Sequence, residues 1–233
     1  MLGAEPDETA LAGAEHLDAA YVGGYDRKAR LDPSSDVDDL RAWGLDDTST
    51  LIDFGAGTGT FALAAAAVCG RVIAVDVSPA MVAALAAKAA AAGITNVETV
   101  QAGFLSYVHD GAPADCIYTR NALHHLPDFW KGIALRRMHG LLEAGGRLRV
   151  RDLVFSFDLA SAEDAVARWV EAAAVESPEH GWTRAELEQH VREEHSTFTW
   201  LFEPLLEHAG FEIATRDYGA VGAYADYVCL KRG

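Results

Sequence analysis

Cysteine is scarce in this chain: three among 233 residues, at Cys69, Cys116 and Cys229. They are far apart in apolar surroundings with no CxxC pair. That argues against a disulfide framework and a zinc knuckle, and makes buried free thiols in a reducing cytoplasm the expectation. Basic residues are also few, 19 Lys and Arg against 35 Asp and Glu, for a formal charge of −16. A polyanionic partner needs clustered cations to neutralise phosphates. Arg147, Arg149 and Arg151 stand close together, alternating along what reads as one strand, so one face explains them. Nucleic acid is not expected as a partner; a small or neutral one is favoured, although net charge governs solubility and steering more than choice of ligand. Long apolar runs are missing too, and none approaches the roughly 20 residues that cross a bilayer. Met1 to Thr9 is acidic, lacks the basic, apolar and small-residue order of a signal peptide, and reads as a short frayed tail.

What the chain has is alternation of apolar strand-like runs with helical stretches. Strands are expected at Thr50 to Phe54, Arg71 to Asp76, Val97 to Ala102, Asp115 to Arg120 and Leu148 to Phe155. Helices are expected at Thr60 to Val68, Pro79 to Ala92 and Asp128 to Leu142. Pro79 suits a first helical position, Gly93 a helix stop, and Gly145-Gly146 a closing turn. The alanine-rich helices can lie close to a sheet, with Leu63, Val68, Met81 and Leu85 as anchors. This order is the signature of a parallel sheet with helices on both faces. After Phe155 come helical stretches at Ala160 to Val175, Thr183 to Glu194 and Thr197 to Ala209, then two strands, Glu212 to Asp217 and Tyr224 to Lys231, as an antiparallel edge. Ahead of the sheet, Thr9 to Ala20 and Asp36 to Trp43 read as helical, flanking the aromatic and glycine-rich Tyr21 to Asp26, a segment suited to fold over a pocket mouth. The expected fold is α/β, doubly wound and mostly parallel with seven strands. Its parts are an N-terminal helical cap (1–46), a ligand-binding core (47–155), a helical insertion (156–210) and a strand pair completing the same sheet (211–233).

The most informative stretch is Leu51-Ile52-Asp53-Phe54-Gly55-Ala56-Gly57-Thr58-Gly59. A strand feeding three close glycines and then a helix lets a ligand touch backbone. The nicotinamide fingerprint GxGxxG ends on Gly or Ala, whereas here that position is Thr60. Asp53, two residues before the first glycine, would be unhelpful beside a pyrophosphate but useful beside the ammonium group of a methionine moiety. GxGxG after an acid points to S-adenosylmethionine (SAM). Asp76 ends the second strand, where a carboxylate can accept from both ribose hydroxyls. A dinucleotide site also places an acid there, and a turn role for Asp76 is the plainer alternative, with Ser78 the better helix cap.

Asp53 to Gly59, Asp76-Val77-Ser78, Asn121-Ala122-Leu123-His124-His125-Leu126-Pro127 and Leu142-Glu143-Ala144-Gly145-Gly146 together resemble the class I SAM-dependent methyltransferases, from about Thr50 to Phe155. The resemblance implies that the glycine loop (Gly55, Ala56, Gly57, Gly59), Asp53 and Asn121 hold the methionine end. It further implies that Asp76 holds the ribose, that Val77 and Met81 flank the adenine, and that S-adenosylhomocysteine is the product. One position departs from the pattern. The family commonly has an acid after the third strand to accept from the adenine amino group, and this sequence has Gly103 there. Backbone contacts from Gly103 and Phe104, with Phe104 against the adenine, are the expected substitute.

Ligands of an open parallel sheet lie at the carboxyl ends of its strands, so an acceptor should meet Asn121 to His125, Asp152 and the N-terminal aromatics. Tyr118 to Leu126 resembles the matching segment of phosphobase methyltransferases, in which a histidine at the position of His125 pairs with an N-terminal tyrosine. That makes His125 a candidate base and leaves Tyr21 and Tyr25 open as its partner; simple packing of His125 near the cofactor is the plainer reading. A metal is not expected. Neighbouring histidines such as His124 and His125 point in different directions, and His190 and His195 lie five apart instead of the four that share a helix face. Arg192 to Trp200 reads as a solvated face followed by a helix capped by Ser196, or as a pocket wall with Trp182, Phe198 and Trp200. The function expected is methyl transfer to an O, N or C atom of a small molecule. Its alternative is a catalytically silent SAM-binding sensor or partner protein.

Overall fold

Parity along each apolar run sorts its residues between two cores. In the computed structural model, which describes residues 5–232, β1 (Thr50–Phe54) sends Leu51 to one side and Ile52 and Phe54 to the other. β2 (Arg71–Asp76) does the same with Val72 and Ala74 against Ile73 and Val75. These strands pair in parallel with β3 (Val97–Gln101), β4 (Ala114–Arg120) and β5 (Leu142–Asp152). β6 (Val154–Phe155) and β7 (Thr197–Phe198) form a separate two-stranded parallel pair. β8 (Phe211–Asp217) and β9 (Ala225–Lys231) run antiparallel, and β9 is antiparallel to β5. The order is β3-β2-β1-β4-β5-β9-β8, the expected seven-stranded, mostly parallel, doubly wound sheet. It reverses direction of growth between β1 and β4, which opens a crevice at their carboxyl ends.

One core lies under the helices Asp128–Leu141 and Thr199–His208, with Leu135, Met138, Phe202 and Leu206 buried. The other lies under Ser34–Ala42, Thr60–Ala65 and Pro79–Ala91. There Phe61, Ala62 and Ala65 anchor the alanine-rich helix, while Leu63 and Val68 are only half-buried. Leu153, Phe155, Trp169, Val170 and Leu187 make a third cluster, which seats the helices Ala162–Ala173 and Arg184–Glu193 on the β5–β6 junction. All three cysteines are buried free thiols.

Several boundaries differ from expectation, each for a local reason. Gly145-Gly146 does not end a helix; it is a bulge inside β5, where pairing with β4 jumps from Ala114↔Leu142 to Cys116↔Arg147. Gly145 has φ +79°. The stretch Leu148 to Phe155 is two strands parted at Leu153. Ser196 caps no helix: the helix begins at Thr199, its flanking residue is Phe198, and the Ser196 hydroxyl meets His190 Nε2 at 2.8 Å. Thr9 to Ala20 is not one helix but three short pieces, Glu8–Leu11, Ala14–Leu17 and Ala19–Val22. Gly13, at φ +84°, separates the first two, and Asp18 caps the third. Nor is the described part of the acidic N-terminus a frayed tail. Asp7 caps the first piece, Glu5 pairs with Arg137 at 2.6 Å, and residues 1–4 lie outside the described residues.

Candidate active site

The crevice is shaped first by glycine. Gly55 has φ +69°, and a Cβ there would meet Ala122 Cβ at 2.3 Å; Gly59 has φ +85°, and its Cβ would meet Leu85 Cγ at 2.4 Å. Larger residues would therefore clash at both positions, and the left-handed backbone suits glycine alone. Gly57 N–H donates to Asp76 Oδ2 at 2.8 Å, and Ser78 N–H donates to Asp76 Oδ1 at 2.8 Å. Ser78 caps the helix Pro79–Ala91 through Met81 N–H at 3.1 Å. Asp76 thus closes a turn and faces the cavity at once.

Two cavities adjoin along this loop. The smaller, about 90 Å³, is walled by Gly55, Gly57, Asp76, Val77, Met81, Gly103, Phe104, Asn121 and His125, with Glu8, His16 and Tyr25 closing it from the N-terminal segment. The larger, about 480 Å³, is walled by Asp53, Gly55, Ala56, Gly57, Thr58, Asn121, Asp152 and Trp182 and again by Tyr25. Gly55, Gly57, Asn121 and Tyr25 belong to both. Asn121 takes a left-handed φ of +50° and is fixed by donating its N–H to Arg151 O at 2.8 Å. Gly59 lines neither cavity; it lets the following helix approach Leu85.

Burial pushes the Asp53 carboxyl well above its ordinary range, with the neighbouring charge of Asp76 adding to the effect. Asp76 is raised by burial too, against the two backbone N–H groups that favour its charge. Both acids are poised for a cationic or hydroxyl-bearing ligand. Burial likewise pushes the Tyr25 phenol up to about 12, and pushes the His125 imidazole down to about 3, with His124 next in effect. At neutral pH both are uncharged.

Of the two tyrosines, Tyr25 lines both cavities and Tyr21 lines neither. His125 meets His16 edge-on, ring centroids 5.8 Å apart, and His16 in turn meets Tyr21 at 5.7 Å and Tyr25 at 6.0 Å. The histidine–tyrosine arrangement is therefore bridged by a third ring that sequence reasoning did not single out. Asp26 fastens this segment down by accepting from Thr58 and pairing with Lys88. Buried Lys28 pairs with Glu186 and lies over the rings of Tyr21 and Trp182. Of the aromatic wall residues, Trp182 reaches the larger cavity, Phe198 packs against the third core cluster and Trp200 is exposed.

Glu8 was not legible in the sequence as a site residue. Its carboxylate accepts from Leu105 N–H and Ser106 N–H, each at 3.0 Å, and from Ser106 Oγ at 2.9 Å. A Cβ on Gly103 would meet Glu8 Cδ at 2.3 Å. Glu8 fills the space in which an acid at position 103 would stand.

The profile of the methyltransferase domain family matches residues 51–146, the span that builds this crevice. Residues 51–146 are thus a methyltransferase domain. Its fold is similar to that of magnesium protoporphyrin IX methyltransferase from Synechocystis with bound SAM, at 14% identity and TM-score 0.65 over 98% of this chain and 99% of that one. It is similar to YcgJ from Bacillus subtilis, at 16% and 0.61 over 83% and 96%. It is also similar to the [4+2]-cyclase SpnF, at 18% and 0.60 over 83% and 79%. No curated protein matches the chain. A methyltransferase domain implies a methyl acceptor, and among the described residues no helix is long and apolar enough to cross a membrane.

Proposed function

We propose that this methyltransferase binds SAM in the crevice and passes its methyl group to an O, N or C atom of a small molecule held beneath the N-terminal segment. The observation that carries this reading is the convergence of Asp53, Gly55, Gly57, Asp76 and Asn121 on two adjoining cavities that Tyr25 closes. In this reading Asp53 faces the ammonium group, Asp76 the ribose, and Val77, Met81 and Phe104 the adenine. Glu8 supplies the acid that Gly103 lacks, its two oxygens held by backbone N–H groups so that a remaining lone pair can accept from the adenine amino group.

Methyl transfer is an in-line displacement: the nucleophile–carbon bond forms as the carbon–sulfur bond breaks, and the sulfonium leaves as a neutral thioether. Most of the acceleration comes from holding the two reactants close and aligned. His125 lines only the smaller cavity, and with its basicity lowered by burial it is a weak base for an acceptor that must lose its proton first. Tyr25 is neutral and able to donate. The acceptor occupies the larger cavity, whose wall includes Trp182 of the insertion and Asp26 of the N-terminal segment.

Calorimetric titration with SAM, S-adenosylhomocysteine and NAD tests the cofactor: near-stoichiometric binding of the first two and none of NAD is expected. Binding of NAD alone, or of none, overturns it. The likeness to a cyclase favours keeping a second reading, a SAM-binding protein that transfers no methyl group. Tight SAM binding with no labelled methyl passed to any acceptor of a broad panel would select it.

A further inference from the structure

Beside the cofactor cavity, three histidines and an acid meet in an arrangement of which the methyl-transfer reading touches only His125. His124 and His125 share the short turn Leu123–His125, their rings 4.3 Å apart at 45°. Opposite them stands Glu194, just past the helix Arg184–Glu193. It is brought there because His195 N–H donates to His124 O at 3.0 Å. Glu194 Oε2 lies 2.9 Å from His124 Nε2, 3.7 Å from His125 Nδ1 and 2.6 Å from His190 Nδ1. His190 and His124 approach Glu194 Oε2 at ion-pair distance, yet Glu194 Oε2 and His125 Nδ1 are both buried and lack a well-aligned hydrogen-bond partner among the described residues. Buried polar atoms left unsatisfied call for an explanation, an ion among them.

We propose that His124 Nε2, His125 Nδ1 and Glu194 Oε2 form a site for a divalent transition metal. These three atoms lie within 4.8 Å of one another, and two imidazoles with one carboxylate are a donor set for zinc or ferrous iron that leaves coordination positions open. Calcium and magnesium, which take oxygen donors, are disfavoured. The surroundings match what ligating histidines need. His124 Nδ1 faces the buried carboxylate of Asp152, which Leu123 and Leu153 N–H hold at 2.8 and 2.7 Å. Such an outer carboxylate fixes the ring and its tautomer. His190 steers the Glu194 carboxylate while its own Nε2 is occupied by Ser196 Oγ. A proton shared between His124 and Glu194 would bridge that pair alone and leave His125 Nδ1 unserved; an ion serves all three. Adjacent histidines share it because they present different nitrogens, Nε2 from one and Nδ1 from the other. His125 also lines the smaller cavity, so the open positions are reached from that side. The site stands on its donors and does not rest on methyl transfer.

The test uses the full chain, stripped with chelator and titrated with Zn²⁺ in the absence of SAM. One ion per chain is expected for the unaltered protein and for the surface control His208→Ala. Glu194→Gln and His125→Ala should each weaken binding at least tenfold, with unchanged circular dichroism. Absence of stoichiometric binding, or equal affinity in all four proteins, overturns the site. Should a variant fail to fold, the unaltered chain loaded with Co²⁺ still decides: a visible ligand-field band and a paramagnetically shifted, exchangeable imidazole N–H from His124 are expected. Their absence counts against the site. Because SAM plays no part in these readouts, their failure leaves the methyl-transfer reading standing, and the reverse holds equally.

Discussion

At the scale of single residues, Asp53 and Glu8 carry the sharpest expectations. Asp53 is 2% exposed and its carboxyl is held above the ordinary range by burial, so the free protein retains a proton there at pH values where an exposed aspartate has lost it. A cation bound beside it favours the carboxylate, so SAM binding should expel that proton. Affinity should then rise as pH climbs from about 4 through the raised value and level off above it. Calorimetry in buffers of different ionisation enthalpy reads the released proton directly, and Asp53→Asn should abolish it while weakening SAM roughly 10- to 100-fold, in line with about 1.5–3 kcal/mol for a hydrogen bond to a charged group. Glu8 makes a different prediction, about compensation. Gly103→Asp alone would set a second carboxylate in the space Glu8 fills and should weaken SAM binding. Glu8→Ala alone should weaken it as well. The double variant Glu8→Ala/Gly103→Asp should bind better than either, with a coupling of roughly 0.5–3 kcal/mol; additive losses would show that the two positions do not share one role. Asp53 and Asp76 were legible because each sits at a fixed offset from the glycine loop on its own strand. Glu8 was not, since 97 positions separate it from Leu105 and no local pattern announces a partner so distant. The glycine at 103 was the only visible trace of it.

At the scale of elements, the helix Ser34–Ala42 is bound to the sheet by charge as much as by Val37 and Leu40. Asp36 is fully buried and meets Tyr118 Oη at 3.0 Å, Arg120 at 3.3 Å, Arg149 at 3.0 Å and Arg151 at 2.9 Å. Arg147 reaches Trp43 O at 3.4 Å from the same strand. The run of arginines that looked like one face of a strand does share a face, and that face receives an acidic helix. Removing the acid leaves three guanidinium groups short of a partner in partly buried positions. Asp36→Ala should therefore lower stability by roughly 3–5 kcal/mol, the usual cost of breaking a buried pair from one side. At roughly 2–4 °C per kcal/mol for a domain of this size, the midpoint of thermal unfolding should fall by roughly 6–20 °C. A drop of only a degree or two would mean that water and Asp39 take over. The main strands of the sheet were readable because short apolar runs between helical stretches admit few alternatives. The start of β5 at Leu142 and the pair β6–β7 were not, since a bulge and a two-residue strand leave no apolar run of their own. The N-terminal helices were less so: alanine propensity suggested one helix from Thr9, whereas Gly13 and the Asp18 cap cut it into turns that tertiary contacts then hold.

At the scale of the whole molecule, the N-terminal segment and the sheet differ in what keeps them folded. The sheet buries long apolar runs on both faces. The pieces Glu8–Leu11, Ala14–Leu17, Ala19–Val22 and Tyr25–Ala29 are four or five residues each, too short to persist as helices on their own. They stay in place through a few anchors: Glu8 on the loop at Leu105, Ser78 Oγ donating to His16 O at 2.6 Å, Asp26 on Thr58 and Lys88, and Lys28 on Glu186. Segments held by few buried contacts open at low free energy, and this one covers a cavity of about 90 Å³ through which an adenosyl ligand would have to pass. Opening should therefore precede binding, and the bound ligand, touching Glu8 and Tyr25 on one side and Asp76 and Phe104 on the other, should then tie the segment down. Amide hydrogen exchange followed by mass spectrometry is the measurement. Without ligand, residues 5–30 should exchange fast while β1, β2 and β4 stay protected. With saturating SAM, protection should rise tenfold or more in 5–30 and change little in the strands. Lys28→Met, which severs the link to the insertion, should speed exchange of 5–30 in the free protein and leave most of the ligand-induced gain intact, because the ligand bridges elsewhere. Equal slowing across the whole chain would instead mean that SAM stabilises the fold globally and that the segment does not move to admit it.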